Sequence, residues 1–123
     1  AGEKMTITSG DSTAAYTVDN LQPVPPNASV LPAKGTMYAV DITIAAETGT
    51  TAVNGFWFVA RTANGDTIAP TVGAVNPGIT SGQLPAGQRL AAHLAFDVPA
   101  GEAIVQITLR DPKGKPLAAW SFA

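Results

Sequence analysis

Apolar and polar residues alternate with a period of two along most of this chain, and no stretch keeps a helical period for long. The clearest alternation covers residues 37–46. There, Tyr38, Val40, Ile42 and Ile44 fall on one face of a strand, and Met37, Ala39, Asp41 and Thr43 on the other. Successive side chains of a strand point to opposite faces, so the first set is predicted to line a core and the second to meet water. Residues 90–98 repeat the pattern, with Leu90, Ala92, Leu94, Phe96 and Val98 inward and Ala91, His93, Ala95 and Asp97 outward.

Residues 53–62 predict a further strand. The Asn64-Gly65 pair behind it tolerates positive φ, as a tight hairpin needs, and turns the chain back into Thr67-Ile68-Ala69. Pro70 ends that short strand or puts it at an edge. Leu84-Pro85-Ala86-Gly87-Gln88 and Pro99-Ala100-Gly101 carry turn chemistry, with Gly87 free to take the left-handed conformation. A strand over 104–110 should point Val105, Ile107 and Leu109 inward. After the Asp111-Pro112-Lys113-Gly114 turn, residues 117–122 close the chain with Trp120 and Phe122 in the core.

The N-terminal third is less regular. Residues 5–8 and 14–18 predict short strands, with Tyr16 and Val18 sharing a face. Pro23, Pro25, Pro26 and Pro32 remove ladder donors between 19 and 35, so that segment reads as a crossover packed by Leu21, Val24, Val30 and Leu31. Residues 71–81 read as a second long connection. Seven or eight short antiparallel strands with two such crossovers fit a two-sheet sandwich with Greek-key connections better than an up-and-down barrel. One domain spanning 1–123 is expected, because too few residues precede the crossover to make a core of their own.

Composition narrows the class. The chain is 46% hydrophobic and 13% charged with a mean hydropathy of +0.17, which excludes a disordered tail. A net charge of −2 without a Lys/Arg cluster makes nucleic acid and anionic lipid poor partners. No apolar run approaches the roughly 20 residues of a membrane span. The absence of Cys excludes disulfides, thiol nucleophiles and cysteinate metal sites. Ala1-Gly2-Glu3-Lys4 is no signal peptide, which leaves a cytosolic chain or a mature exported one. Richness in Ala, Thr, Gly and Pro leans towards the second.

The order of features resembles a known family. It comprises Tyr16-Thr17-Val18-Asp19-Asn20-Leu21, a proline-containing crossover, and Gly35-Thr36-Met37-Tyr38-Ala39-Val40-Asp41-Ile42-Thr43-Ile44. Then come Phe58-Val59-Ala60-Arg61-Thr62-Ala63-Asn64-Gly65, Leu84-Pro85-Ala86-Gly87-Gln88 and Leu94-Ala95-Phe96-Asp97-Val98. This arrangement, over about residues 16–122, resembles the small secreted mycobacterial immunogenic proteins of the MPT/MPB sixty-three type. It is also similar to the telokin-like domains of bacterial lipoproteins. The resemblance implies an immunoglobulin-like antiparallel β-sandwich, export, and no catalytic motif to transfer. An anchored form would carry its lipidated Cys upstream of Ala1.

Candidate chemistry is sparse. His93 is the sole histidine and is expected on a solvated face. One imidazole without Cys builds no zinc site unless carboxylates complete it, and no Gly-x-Ser-x-Gly elbow supplies a nucleophile. Asp66 and Asp111 are explained by turns, Asp41 and Asp97 by solubility, and no Asp-x-Asp-x-Asp run offers a calcium loop. No glycine-rich phosphate loop is present either, so neither a metal nor a cofactor is expected. Phe56-Trp57-Phe58 stands out. If Phe56 and Phe58 fill the core, Trp57 and Val59 share the outer face and form a contact platform, unless the proline crossover or a neighbouring strand's side chains cover Trp57. The sequence thus points to an exported, non-catalytic binding module whose partner is a protein or envelope component. The alternative is a carrier or sensor holding a small apolar or sugar ligand in a pocket lined by Tyr38, Phe56 and Trp120.

Overall fold

The computed structural model describes residues 2–24, 35–71 and 81–122. Its strands are β1 (Lys4–Ser9), β2 (Ser12–Pro23), β3 (Thr36–Thr48), β4 (Thr51–Asn54), β5 (Phe58–Thr62) and β6 (Thr67–Ile68). They continue with β7 (Ser81–Leu84), β8 (Arg89–Val98), β9 (Ile104–Arg110) and β10 (Pro116–Ser121). One antiparallel sheet runs β1-β2-β3-β8 and the other β10-β9-β5-β6, while β4 and β7 pair as a two-stranded ribbon. The chain leaves the first sheet after β3, builds β5 and β6 in the second, and returns through β7 to lay β8 beside β3. This is the two-sheet sandwich that the alternation predicts and the immunoglobulin-like fold that the resemblance implies.

The two inner faces form one apolar cluster. Val18, Val40, Ile42, Ile44, Leu94, Phe96 and Val98 from the first sheet meet Phe58, Ala60, Ile107, Leu109 and Trp120 from the second. Each of these is at most 2% exposed. Tyr38, Leu90 and Phe122 pack at the margins of the cluster, half-buried. Trp120 also ties the chain ends together, its indole N–H donating to the Glu3 carbonyl at 2.8 Å.

Local chemistry sets the turns. Thr62 N–H donates to the Asp66 carbonyl and Gly65 N–H to the Thr62 carbonyl, a three-residue loop with Gly65 at φ +90°. Only Gly65 of the Asn64-Gly65 pair takes positive φ. The Asp111–Lys115 turn repeats the pattern around Gly114. Gly35 is needed for a different reason. A Cβ there would lie 2.1 Å from the Val98 carbonyl oxygen, so only hydrogen lets β3 enter beside the end of β8.

Five expectations are corrected. The strand foreseen over 53–62 is broken, because Asn54 Oδ1 accepts the Phe56 N–H at 2.9 Å and winds Gly55–Trp57 into a 3-10 turn. Phe56 therefore leaves the core and is 62% exposed. The connection foreseen over 71–81 ends in a strand, since Ser81 to Leu84 pair with β4. Met37 and Ala95, expected in water, are 3% and 0% exposed, forming a second apolar cluster with Val24 on the outer face. Val105 yields its inward place to Ile104, because a bulge opposite Arg61 and Thr62 shifts the register by one. Finally, β2 runs on to Pro23 through a bulge at which Asn20 takes φ +58°, so strand occupies the start of the expected crossover. Val30, Leu31 and the heart of the 71–81 connection lie outside the described residues.

Candidate functional site

Three places gather side chains with chemistry. The first is the outer face of the β1-β2-β3-β8 sheet. Asp41 and His93 are directly opposed across β3 and β8, and His93 Nδ1 meets Asp41 Oδ1 at 2.6 Å. Asn20 Nδ2 donates to Asp41 Oδ2 at 3.0 Å, and Gln22 Nε2 donates to Asn20 Oδ1 at 2.7 Å. The left-handed Asn20 at the β2 bulge aims its amide at Asp41, a conformation that Asn tolerates better than most residues. Pro23, Val24 and Ala39 complete a shallow depression around this network. None of its described residues carries a hydroxyl nucleophile, and no three His, Asp or Glu converge on a metal position among the described residues. Sequence reasoning placed His93 on this face but missed its partner, which only the strand register identifies.

The second place is a cleft of about 220 Å³ at the opposite edge of the sandwich core. Tyr16 of β2, Trp57 of the 3-10 turn, Leu109 of β9 and Leu117 of β10 supply its apolar walls. Thr51 of β4 and Arg110 of β9 also line it, with Asp111 beside them. The cleft exists because the chain breaks at Asn54: the 3-10 turn displaces β4 from β5, so β4 pairs with β7 instead of extending the second sheet. Two polar atoms are left over there. Thr51 Oγ1 and Arg110 Nε are the buried side-chain polar atoms without a hydrogen-bond partner among the described residues. Burial raises the pKa of the neighbouring Tyr16 phenol above its ordinary value.

The third place is an open depression of about 630 Å³ on the outer face of the second sheet. Val59, Arg61, Gln106, Thr108, Arg110 and Leu117 line it, so Arg110 borders both this depression and the cleft. Trp57 and Val59, expected to share one surface, are thereby separated: Trp57 is half-buried against the core and lines the cleft, and Val59 lines the outer depression. The proposed pocket residue Phe56 is exposed and Trp120 is fully buried, so neither joins Trp57 at the cleft. The Asn54-Gly55 dipeptide was the available signal. Both residues favour turns, and they sit in the middle of an otherwise strand-like run.

This sandwich matches a family over nearly its whole length. The chain belongs to the family described as a domain of unknown function (DUF1942), which it matches over residues 1–120. Its fold is similar to that of MPT63, a secreted protein from Mycobacterium tuberculosis, with a TM-score of 0.85 at 22% identity over 98% of this chain and 93% of that one. It is also similar to the yjhA protein from Bacillus subtilis, with a TM-score of 0.61 at 14% identity over 86% of this chain and 77% of that one. No match was found among curated proteins. The resemblance to the secreted mycobacterial proteins read from the sequence is thus upheld.

Proposed function

We propose that this protein is an exported, single-domain, non-catalytic binding module that takes a small, partly apolar ligand in the Trp57 cleft. The carrying observation is the cleft itself, where the broken strand leaves apolar walls beside Thr51 and Arg110, each with a buried polar atom that has no partner among the described residues. Rigid frame and open site are divided between regions: the sheets hold the shape, and the 3-10 turn makes room. Export is supported by the likeness to a secreted mycobacterial protein.

Thermal unfolding with a neutral apolar probe tests the reading. Octanol should raise the midpoint of the wild-type chain and protect Trp57 from acrylamide quenching. Trp120 is 0% exposed, so the quenchable emission belongs to Trp57. Ala52→Phe, placed at an exposed residue of the cleft lining, should keep the fold and remove both effects. A midpoint and a quenching curve unmoved by saturating octanol would sink the cleft reading. Fractionation of the source cells that finds the protein inside the cytoplasm would sink export.

A second reading keeps a protein partner, on the open face that holds Val59. Arg61, Gln106 and Thr108 beside it offer hydrogen bonds, as the rim of a protein contact does. Val59→Asp would then abolish partner capture without changing octanol binding.

A further inference from the structure

Resting on the cleft reading, we propose that the ligand is a small amphipathic carboxylate, its apolar body against Trp57 and its head on Arg110 and Thr51. The leftover atoms choose the head group. Thr51 is only 6% exposed, and its Oγ1 has no hydrogen-bond partner among the described residues. Arg110 Nε is likewise buried and has no hydrogen-bond partner among the described residues. An Arg N–H only donates and a Thr hydroxyl can donate, so what complements both is an acceptor. A carboxylate offers two acceptor oxygens and matches the planar fork of a guanidinium, which a hydroxyl or a carbonyl cannot do as well.

Both atoms are buried, so the head reaches them through a χ1 rotation of Thr51 and a shift of the flexible Arg110 stem. Arg110 is half-buried, which leaves it that freedom. The charge of the head is limited by Asp111, which lines the same cleft. Its Oδ1 is held by the backbone N–H groups of Lys113 and Lys115 at 2.9 and 2.8 Å, so the carboxylate stays in place. A dianionic phosphate would face that carboxylate and a chain of net charge −2, and a monoanion is the better fit.

Size limits the body. At about 220 Å³ the cleft exceeds the roughly 150 Å³ of an apolar cavity that holds benzene, and falls below the roughly 300 Å³ where drug-sized sites begin. One ring or a medium acyl chain fills it; a long-chain lipid does not.

The experiment pairs octanoate with octanol on the full chain, reading Trp57 quenching and the thermal midpoint. Octanoate should bind about tenfold or more tightly than octanol, the preference expected of hydrogen bonds to a charged group. Arg110→Met keeps most of the apolar stem and removes the donors. It should erase the octanoate preference, read as the ratio of octanoate to octanol affinity within the same variant. Arg110→Lys, which keeps the charge but not the fork, should fall between, and guards against a folding defect in the Met variant. Ala52→Phe should abolish both. Equal binding of the two probes, or an octanoate preference that survives Arg110→Met or Ala52→Phe, overturns the carboxylate proposal while octanol binding keeps the cleft reading alive. Failure of both probes overturns both.

Discussion

The two ends of the sandwich treat a buried threonine in opposite ways. Thr62, 2% exposed, sits where β5 turns into β6 and β9 begins. Its Oγ1 donates to Glu102 at 2.9 Å and accepts the Asp66 N–H at 3.2 Å. Gly35 belongs to the same end, its N–H donating to Asp97 Oδ1 at 2.9 Å while its Cα passes against Val98. Every one of these polar groups has a counterpart. Among the described residues Thr51, 6% exposed at the far end, has none for its hydroxyl, and Arg110 Nε beside the same cleft has none either. A buried polar group without a partner costs free energy, so the proposed ligand would relieve a cost that the second end carries and the first does not.

The largest effect should come from the tight end. Gly35→Ala puts a methyl 2.1 Å from a backbone oxygen that cannot rotate away. The start of β3 must then separate from the end of β8, at about 1–3 kcal/mol or more. Urea unfolding measures it. A variant as stable as wild type would show that this end is loose, and the contrast between the ends would lose its basis.

A matched pair of substitutions probes the contrast directly. Thr62→Val should destabilise by about 1–2 kcal/mol, because it strands the Asp66 N–H and removes the donor to Glu102. Thr51→Val swaps a hydroxyl without a partner for a methyl of the same shape, and should be neutral or stabilising by up to about 1 kcal/mol. Equal losses at the two sites would mean that Thr51 is hydrogen-bonded in solution, and the unsaturated end would vanish.

The sequence makes the frame legible far better than the cleft. Val40, Ile42, Leu94 and Phe96 are readable because a strand facing a packed sheet must alternate, and each is buried where alternation puts it. Alternation fails wherever one residue is inserted. The bulge that turns Ile104 inward in place of Val105 leaves no compositional trace, and parity alone could not find it. Asn54-Gly55 did leave a trace, and it outweighed the strand propensity of Phe56-Trp57-Phe58 around it. Met37 and Ala95 show a different limit: a sheet's outer face stays dry where another segment, here Val24, lies over it. The cleft draws on Tyr16, Thr51, Trp57 and Arg110, which are far apart in sequence, and the Asp41–His93 pair needs a register that no single strand encodes. Long-range coincidence, rather than weak local signal, hid both.

The smallest expected effect tests how dry the open end is. Burial holds the Tyr16 phenol above its usual pKa of about 10, because the phenolate would lose hydration against the cleft wall. The unfolded chain ionises this phenol at the usual value, while the folded chain keeps its proton to higher pH. Above about pH 10 the folded state therefore binds more protons than the unfolded one, and stability falls as pH rises through that window. Below it the term is constant and fully present. Tyr16→Phe removes the phenol, so the difference in unfolding free energy between the variant and wild type should be flat from pH 7 to 9 and then shift in favour of the variant. Other titrating groups are common to both proteins and cancel in that difference. A flat difference through pH 11 would mean that water reaches the phenol freely. The cleft would then be as wet as the surface, and neither Thr51 nor Arg110 would need a ligand to complete it.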